Sequence, residues 1–365
     1  AGERVHGTVL VFHGFSNRPA QMELLGQYLY DNGFNVYAPT LAGQDTDPPE
    51  TSWPRVQIKP QYKNALVTKL GDRLVGRLSR IPDPMNPSGS PSAPNTEAEA
   101  MQSATDALEE DGDDVDGGDF RLREYFTAAT TETEDNAEAR RLFAKYFVSS
   151  HKRFHDDAQA RLDEVRPLGG AFYTVGLSVG GAVALSLAEA NPGVIRRVVV
   201  HAPFLAVANP LPRTAVGLLG PLDIMKMNWG YDFPLAAITA AARFGGVVRT
   251  PSARAKMAGV PTFMVLTATD RAADVPIDEE FYKGIGGRTD NRGGAHRFYK
   301  YPKEAQVPHP MTDPREKQSG TGFSNRYWKP LYRETLRFLV EGEVNTAAFD
   351  NNRLEPGSVW NLPVP

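Results

Sequence analysis

Gly176-Leu177-Ser178-Val179-Gly180 is the stretch that most constrains what this chain can fold into. It follows an apolar, β-rich run, Ala171–Val175, and precedes a run of small helix-forming residues, Gly181–Ala190. The local order is therefore strand, tight turn, helix, with a serine at the apex. Such a turn holds the serine backbone in strain. Side chains two positions before and after it would meet the adjoining strand and helix, which is why glycine stands at both. The helix starting behind Ser178 aims N–H groups at the apex, where negative charge can be stabilised. The bland alternative is a glycine-rich turn carrying an ordinary serine, and partners elsewhere in the chain decide between the two.

The rest of the chain supplies a frame for that turn. Thr8–Phe12 is a short continuous apolar run, the pattern of a strand buried on both faces. His13-Gly14-Phe15-Ser16-Asn17 follows as a turn, and Pro19–Asn32 reads as a helix with Met22, Leu25 and Leu29 at helical spacing and Gly33 past its end. Phe34–Ala38 is a second strand, so the chain opens with a βαβ unit and a parallel sheet. Ala171–Leu177, Arg197–His201, Val260–Ala268 and His296–Tyr301 read as further strands, and Arg326–Glu341 as a closing helix. The expected class is α/β, a mostly parallel sheet flanked by helices.

Between about residues 46 and 150 the pattern breaks. Ile81–Pro94 is rich in proline and serine and reads as a linker, and Asp111–Asp119 is a dense acidic run. Thr131–Glu134 fits a capping box, predicting a long amphipathic helix with Leu142, Phe143, Tyr146, Phe147, Phe154, Ala158, Leu162 and Val165 on one side and a kink or break near Ser149-Ser150. Leu211–Val248 is apolar, helix-prone and cap-like; its Leu, Met and aromatic residues serve equally as core or as a lid over an apolar pocket. The expected organisation is a core over 1–45 and 151–345 with 205–250 as a second cap segment, a largely helical cap or lid over 46–150, and a tail over 346–365.

Composition removes several function classes. The 365 residues carry 40 basic and 44 acidic side chains, a net charge of −4, so no basic excess invites nucleic acid or an anionic membrane surface. There are no cysteines, which excludes disulfides, thiolate metal sites and a cysteine nucleophile. No run of about 18 apolar residues suggests a membrane span. The start at Ala1-Gly2-Glu3-Arg4 fits either a removed leader or a trimmed chain, so a soluble protein of either the cytoplasm or an exported compartment is expected. The acidic run fails as an EF-hand loop, with Val115 at its fifth position and Asp116 where glycine is needed, and reads better as a solvated loop. Gly284–Gly287 neither follows a strand nor opens a helix and reads as a turn, not a dinucleotide loop.

With His13-Gly14-Phe15, Gly176-x-Ser178-x-Gly180, Thr269-Asp270-Arg271 with Asp274, and Pro308-His309-Pro310-Met311 in that order, the chain resembles the α/β-hydrolase superfamily. The HGF-type loop and the Asp-Arg-x-x-Asp stretch look like those of its carboxylesterase and monoglyceride-lipase branch. The resemblance spans about residues 5–45 and 151–340; the insertion at 46–150 departs from the compact family pattern.

The resemblance implies a Ser-His-Asp triad in the chain order serine, acid, histidine. Of the seven histidines only His296 and His309 follow the strand at 260–268. His296 opens the last strand, whereas His309 lies in the loop after it, at the carboxyl end where sites of such sheets form, so His309 is the preferred base. Asp270 directly follows its strand and is the preferred acid, with Asp274 its competitor. The oxyanion hole falls to the N–H groups of Val179 and Phe15, with His13 buttressing the loop. The expected activity is hydrolysis of a hydrophobic carboxylic ester through an acyl-enzyme, with neither cofactor nor metal. A thioesterase, a serine peptidase or a non-catalytic protein of the same fold are the alternatives.

Overall fold

A computed structural model of the chain describes residues 5–45, 48–66, 120–133, 135–228, 232–318 and 321–350; the proline-rich stretch 81–94 and the acidic run 111–119 lie outside them. Its centre is a six-stranded sheet formed by β1 (Gly7–Phe12), β2 (Phe34–Tyr37), β5 (Phe172–Leu177), β6 (Ile195–His201), β9 (Thr262–Thr267) and β10 (Arg297–Tyr301). Across the sheet they stand in the order β10-β9-β6-β5-β1-β2, and every neighbouring pair is parallel. All six strands therefore present their carboxyl ends at one edge, where β1 leads into His13, β5 into Ser178 and β9 into Asp270.

The continuous apolar runs have a direct cause, since both faces of the sheet are covered. Val9, Val11, Val199, Phe263 and Val265 pack on one side with Leu25 and Leu29 of helix Glu23–Asp31 and Leu331, Phe338 and Leu339 of helix Trp328–Glu341. Leu10, Phe12, Val198, Val200, Met264 and Leu266 pack on the other with helices Arg153–Val165, Val179–Ala190 and Leu235–Val248. The helix behind Ser178 is buried from Val179 to Ala188, which its Gly, Ala and Val residues permit by allowing close approach to the sheet. This is the α/β-hydrolase fold, with a largely helical insertion.

Over the carboxyl edge lies a second layer. It comprises helices Leu122–Thr130, Ala137–Tyr146 and Pro210–Leu219, an antiparallel pair of β3 (Val56–Ile58) with β4 (Phe147–Ser149), and a hairpin of β7 (Lys226–Asn228) with β8 (Asp232–Pro234). Three local expectations are corrected here. Helix Ala137–Tyr146 is capped by Asn136, whose side chain accepts from the Ala139 N–H at 2.8 Å, rather than by a box at Thr131. Thr131 instead ends the preceding helix. The long helix does break near the expected Ser149-Ser150, but as two helices separated by a strand rather than a kink, because Phe147–Ser149 finds a strand partner far earlier in the chain, Ser149 facing Val56. Met227 and Phe233, read as helical, stand in the hairpin. Short strands whose partners are remote leave no periodicity that competes with the helical pattern around them.

Candidate active site

Ser178 occupies the apex between β5 and its helix with φ 57° and ψ −124°, a conformation disfavoured for a residue with a Cβ. The neighbours hold it there. Its N–H donates to the His201 carbonyl at 3.0 Å, and its own carbonyl accepts from the Phe204 N–H at 2.9 Å. The two glycines of the motif are sterically required. A Cβ on Gly176 would come within 2.1 Å of the Gly180 carbonyl oxygen, and one on Gly180 within 2.3 Å of the His13 carbonyl oxygen. The second contact brings the loop after β1 against the serine turn, and a Cβ on Gly14 would stand 3.6 Å from the Ser178 Cβ.

His13 fixes that loop. Its Nδ1–H donates to the Gly14 carbonyl at 2.7 Å while Nε2 accepts the Leu41 N–H at 3.0 Å, so both ring nitrogens are committed. Burial lowers its pKa to about 4, which keeps the ring neutral in that bonding pattern. The Gly14 N–H is also committed, donating to Gln21 Oε1 at 2.8 Å. The next N–H, that of Phe15, meets no acceptor among the described residues. The Val179 N–H lies in the first turn of its helix, where no intrahelical carbonyl is in reach.

The loop after β9 separates the two aspartates. The Asp270 side chain is 1% exposed; its Oδ2 accepts from His309 Nδ1 at 2.8 Å and its Oδ1 from the Ala272 and Ala273 N–H groups at 2.8 and 3.0 Å. Asp274 turns away. Its Oδ1 caps helix Val275–Gly284 through the Ile277 N–H, and its Oδ2 pairs with Arg213. The His309 side chain is 12% exposed, and its Nε2 is buried with no hydrogen-bond partner among the described residues. The Val307 carbonyl accepts from both Thr267 and Thr269 hydroxyls, which ties the histidine loop to the end of β9. His296 lies before β10, its Nε2 against the Ala258 carbonyl, and takes no part at this edge of the sheet.

Above the serine, Phe15 meets Trp53 and Phe233 edge-on, with ring centroids 5.0 and 5.4 Å apart, and those two stack on each other at 5.2 Å. The roof beside the site is therefore apolar and built from three separate segments. Sequence reasoning missed two carboxyls near this edge. Glu316 lies seven residues past His309 in sequence and accepts from Gln21 Nε2 at 2.6 Å. Asp278 is fully buried, and neither carboxyl oxygen has a partner among the described residues. Burial, then the charges of Asp270 and Asp274, holds its pKa well above the usual carboxylate range. Neither stands in a motif; Glu316 sits in an ordinary charged stretch and Asp278 at an ordinary polar helix position. Among the described residues no group of three or more His, Asp or Glu could hold a metal ion, and no helix is long and apolar enough to cross a membrane.

No protein-family model matches this chain, and no curated protein matches it. Solved structures do. One, from a description of LipS and LipT as metagenome-derived lipolytic enzymes, is 14% identical with a TM-score of 0.51, covering 92% of this chain and 94% of its own. Another, a soluble variant of monoglyceride lipase from Saccharomyces cerevisiae with a substrate analogue, is 10% identical with a TM-score of 0.51, covering 94% of this chain and 89% of its own. At these identities the likeness is one of fold.

Proposed function

We propose that the protein is a serine hydrolase that cleaves a carboxylic ester of apolar character. The observation that carries this reading is the His309–Asp270 hydrogen bond, with His309 Nε2 left unpartnered at the same sheet edge as Ser178 on its strained turn. In this reading Ser178 Oγ attacks the ester carbonyl carbon while His309 Nε2 takes the hydroxyl proton. The carbonyl π electrons move to oxygen, and the N–H groups of Val179 and Phe15 hold that oxyanion. Collapse of the tetrahedral intermediate breaks the bond to the leaving alkoxide, which receives the proton from His309. A water molecule then gives its proton to His309, attacks the acyl carbon and releases the acid, and Ser178 recovers its proton. Asp270 holds the Nδ1–H tautomer and stabilises the imidazolium formed twice in the cycle.

The ester preference rests on the resemblance of His13-Gly14-Phe15 and Asp270–Asp274 to the carboxylesterase branch. The aromatic roof of Phe15, Trp53 and Phe233 supports an apolar acyl or alcohol group. Hydrolysis of p-nitrophenyl esters in an acyl-chain series, by the wild type and by Ser178→Ala, tests the reading. The expected result is turnover that falls by about 10⁴-fold or more in the variant. Equal, background rates in both would remove the enzymatic reading in favour of a binding protein. An optimum on a thioester or an amide would move it to another acyl hydrolase.

A further inference from the structure

The loop after β1 and the loop after β10 are far apart in sequence, yet one carboxylate holds them together. Glu316 Oε2 accepts from Gln21 Nε2 at 2.6 Å, and Glu316 Oε1 accepts from Asn17 Nδ2 at 3.3 Å. Gln21, 7% exposed, passes the constraint on, because its Oε1 accepts the Gly14 N–H at 2.8 Å. A second contact runs beside the first, the Thr312 hydroxyl donating to the Met22 sulfur at 3.3 Å. The far ends are anchored as well. The Met311 and Thr312 carbonyls accept from Asn325 and Tyr332, one just before the closing helix and one within it.

We propose that Gln21 and Glu316 are a positioning pair that sets the oxyanion donor at Phe15 in register with His309. The proposal rests on the hydrolase reading above. Its physical basis is directional. The Gly14 N–H drawn to Gln21 fixes the peptide plane before Gly14, and the Gly14 carbonyl accepting from His13 Nδ1–H fixes the plane after it, so the Phe15 N–H is the donor left for substrate. With Glu316 drawn to both Gln21 and Asn17, the histidine loop has one distance from that donor. Apolar packing would hold the loops together without fixing their rotation, whereas three hydrogen bonds through one chain of groups fix both. The arrangement has an energetic cost that simple packing lacks. Burial pushes the Glu316 carboxyl above its ordinary pKa, and the Gln21 hydrogen bond opposes that push. Oxyanion stabilisation depends on donors aimed at the transition state, and a displacement of about 1 Å is enough to lose about a hundredfold in rate.

The pair can be tested by exchange, because it is nearly symmetric. Gln21→Glu alone sets two carboxylates against each other. Combining Gln21→Glu with Glu316→Gln restores all three bonds. The carboxylate then at position 21 accepts from the Gly14 N–H and from the amide at position 316, and the oxygen of that amide accepts from Asn17. Steady-state hydrolysis of p-nitrophenyl butyrate at pH 8 is compared for wild type, Gln21→Glu and the exchange, with circular dichroism and thermal melting as fold controls. The expected result is a kcat about a hundredfold lower in Gln21→Glu, with KM changed less than about threefold, and an exchange variant within about tenfold of wild type. A structural role alone would move the melting point and leave kcat per folded molecule unchanged. Wild-type turnover with Gln21→Glu equally fast, or with the exchange no faster than Gln21→Glu, overturns the pair and leaves the hydrolase reading intact. Wild-type turnover no faster than Ser178→Ala overturns the hydrolase reading and the pair with it. Should Gln21→Glu not fold, a folded exchange variant near wild-type kcat supports the pair, and an unfolded or slow one overturns it.

Discussion

The floor and the roof of the candidate site are held by different kinds of contact. On the floor, each side chain has a partner close by in sequence, Asp270 the amides of Ala272 and Ala273, Asp274 that of Ile277 and His13 the Gly14 carbonyl, and a few longer bonds, Asp270 to His309 and Gln21 to Glu316, join one loop to the next. The roof is held across long separations. Glu132 of the insertion pairs with Arg249 at 2.5 Å and Arg213 at 3.6 Å, and Arg213 joins it to Asp274 on the floor. Tyr125 donates to the Leu218 carbonyl at 2.8 Å, and Trp53 stacks on Phe233. Local bonds on the floor orient each side chain within its own loop, and the few longer ones set one loop against another. Long-range pairing on the roof sets where a layer sits, which bears on stability and substrate shape.

That difference can be broken where the two regions share a loop. Asp270→Asn removes the acceptor that holds the His309 tautomer, and kcat on a nitrophenyl ester should fall by about 10⁴-fold with the melting curve nearly unchanged. Asp274→Asn, four residues on, should leave kcat within about tenfold and lower stability instead, since it loses the ion pair with Arg213 while the amide oxygen still caps the helix. If Asp274→Asn proved the more damaging to kcat, the division between floor and roof would fail at its clearest point.

On the roof, Glu132→Gln leaves Arg249 and Arg213 facing a neutral group in a site where all three side chains are mostly buried. Urea titration should show a loss of about 3 kcal/mol, with kcat per folded molecule within a few-fold of wild type. A loss in kcat as large as that of Asp270→Asn would show that the roof also places reacting atoms.

Asp278 gives the smallest and most selective effect. It lies beneath the floor with Asp270, Asp274 and Glu279 adding to its raised pKa and Arg249 opposing them. In the unfolded chain its carboxyl ionises around the ordinary value near 3.8, while in the folded chain it holds its proton to higher pH. The folded state then binds more protons, so its stability falls as pH rises. Asp278→Asn removes this titration. Melting points measured from pH 5 to pH 9 should show the variant gaining on wild type as pH increases, and parallel curves would rule the account out.

Much of the core and part of the site were legible because they rest on local pattern. Continuous apolar runs identified the buried strands, and the glycines around Ser178 marked a turn whose close contacts they permit. Asp270 and His309, found hydrogen-bonded, are both distinguished by following strands. The insertion was less legible. Phe147–Ser149 continues a helical spacing in sequence and is a strand because Val56–Ile58 lies beside it. Gln21 and Glu316 carry no mark of their bond, since two polar residues look alike in sequence whether they meet water or each other.

The sequence by itself determined the α/β class, the strand–turn–helix around Ser178 and the short set of side chains proposed to serve it. Those features depend on sterics and periodicity within a few residues. The tertiary structure decided which aspartate meets His309, which amide in the first loop remains free, and how the insertion is clamped over the sheet edge. Those outcomes depend on distances between segments far apart in the chain, which local pattern does not encode.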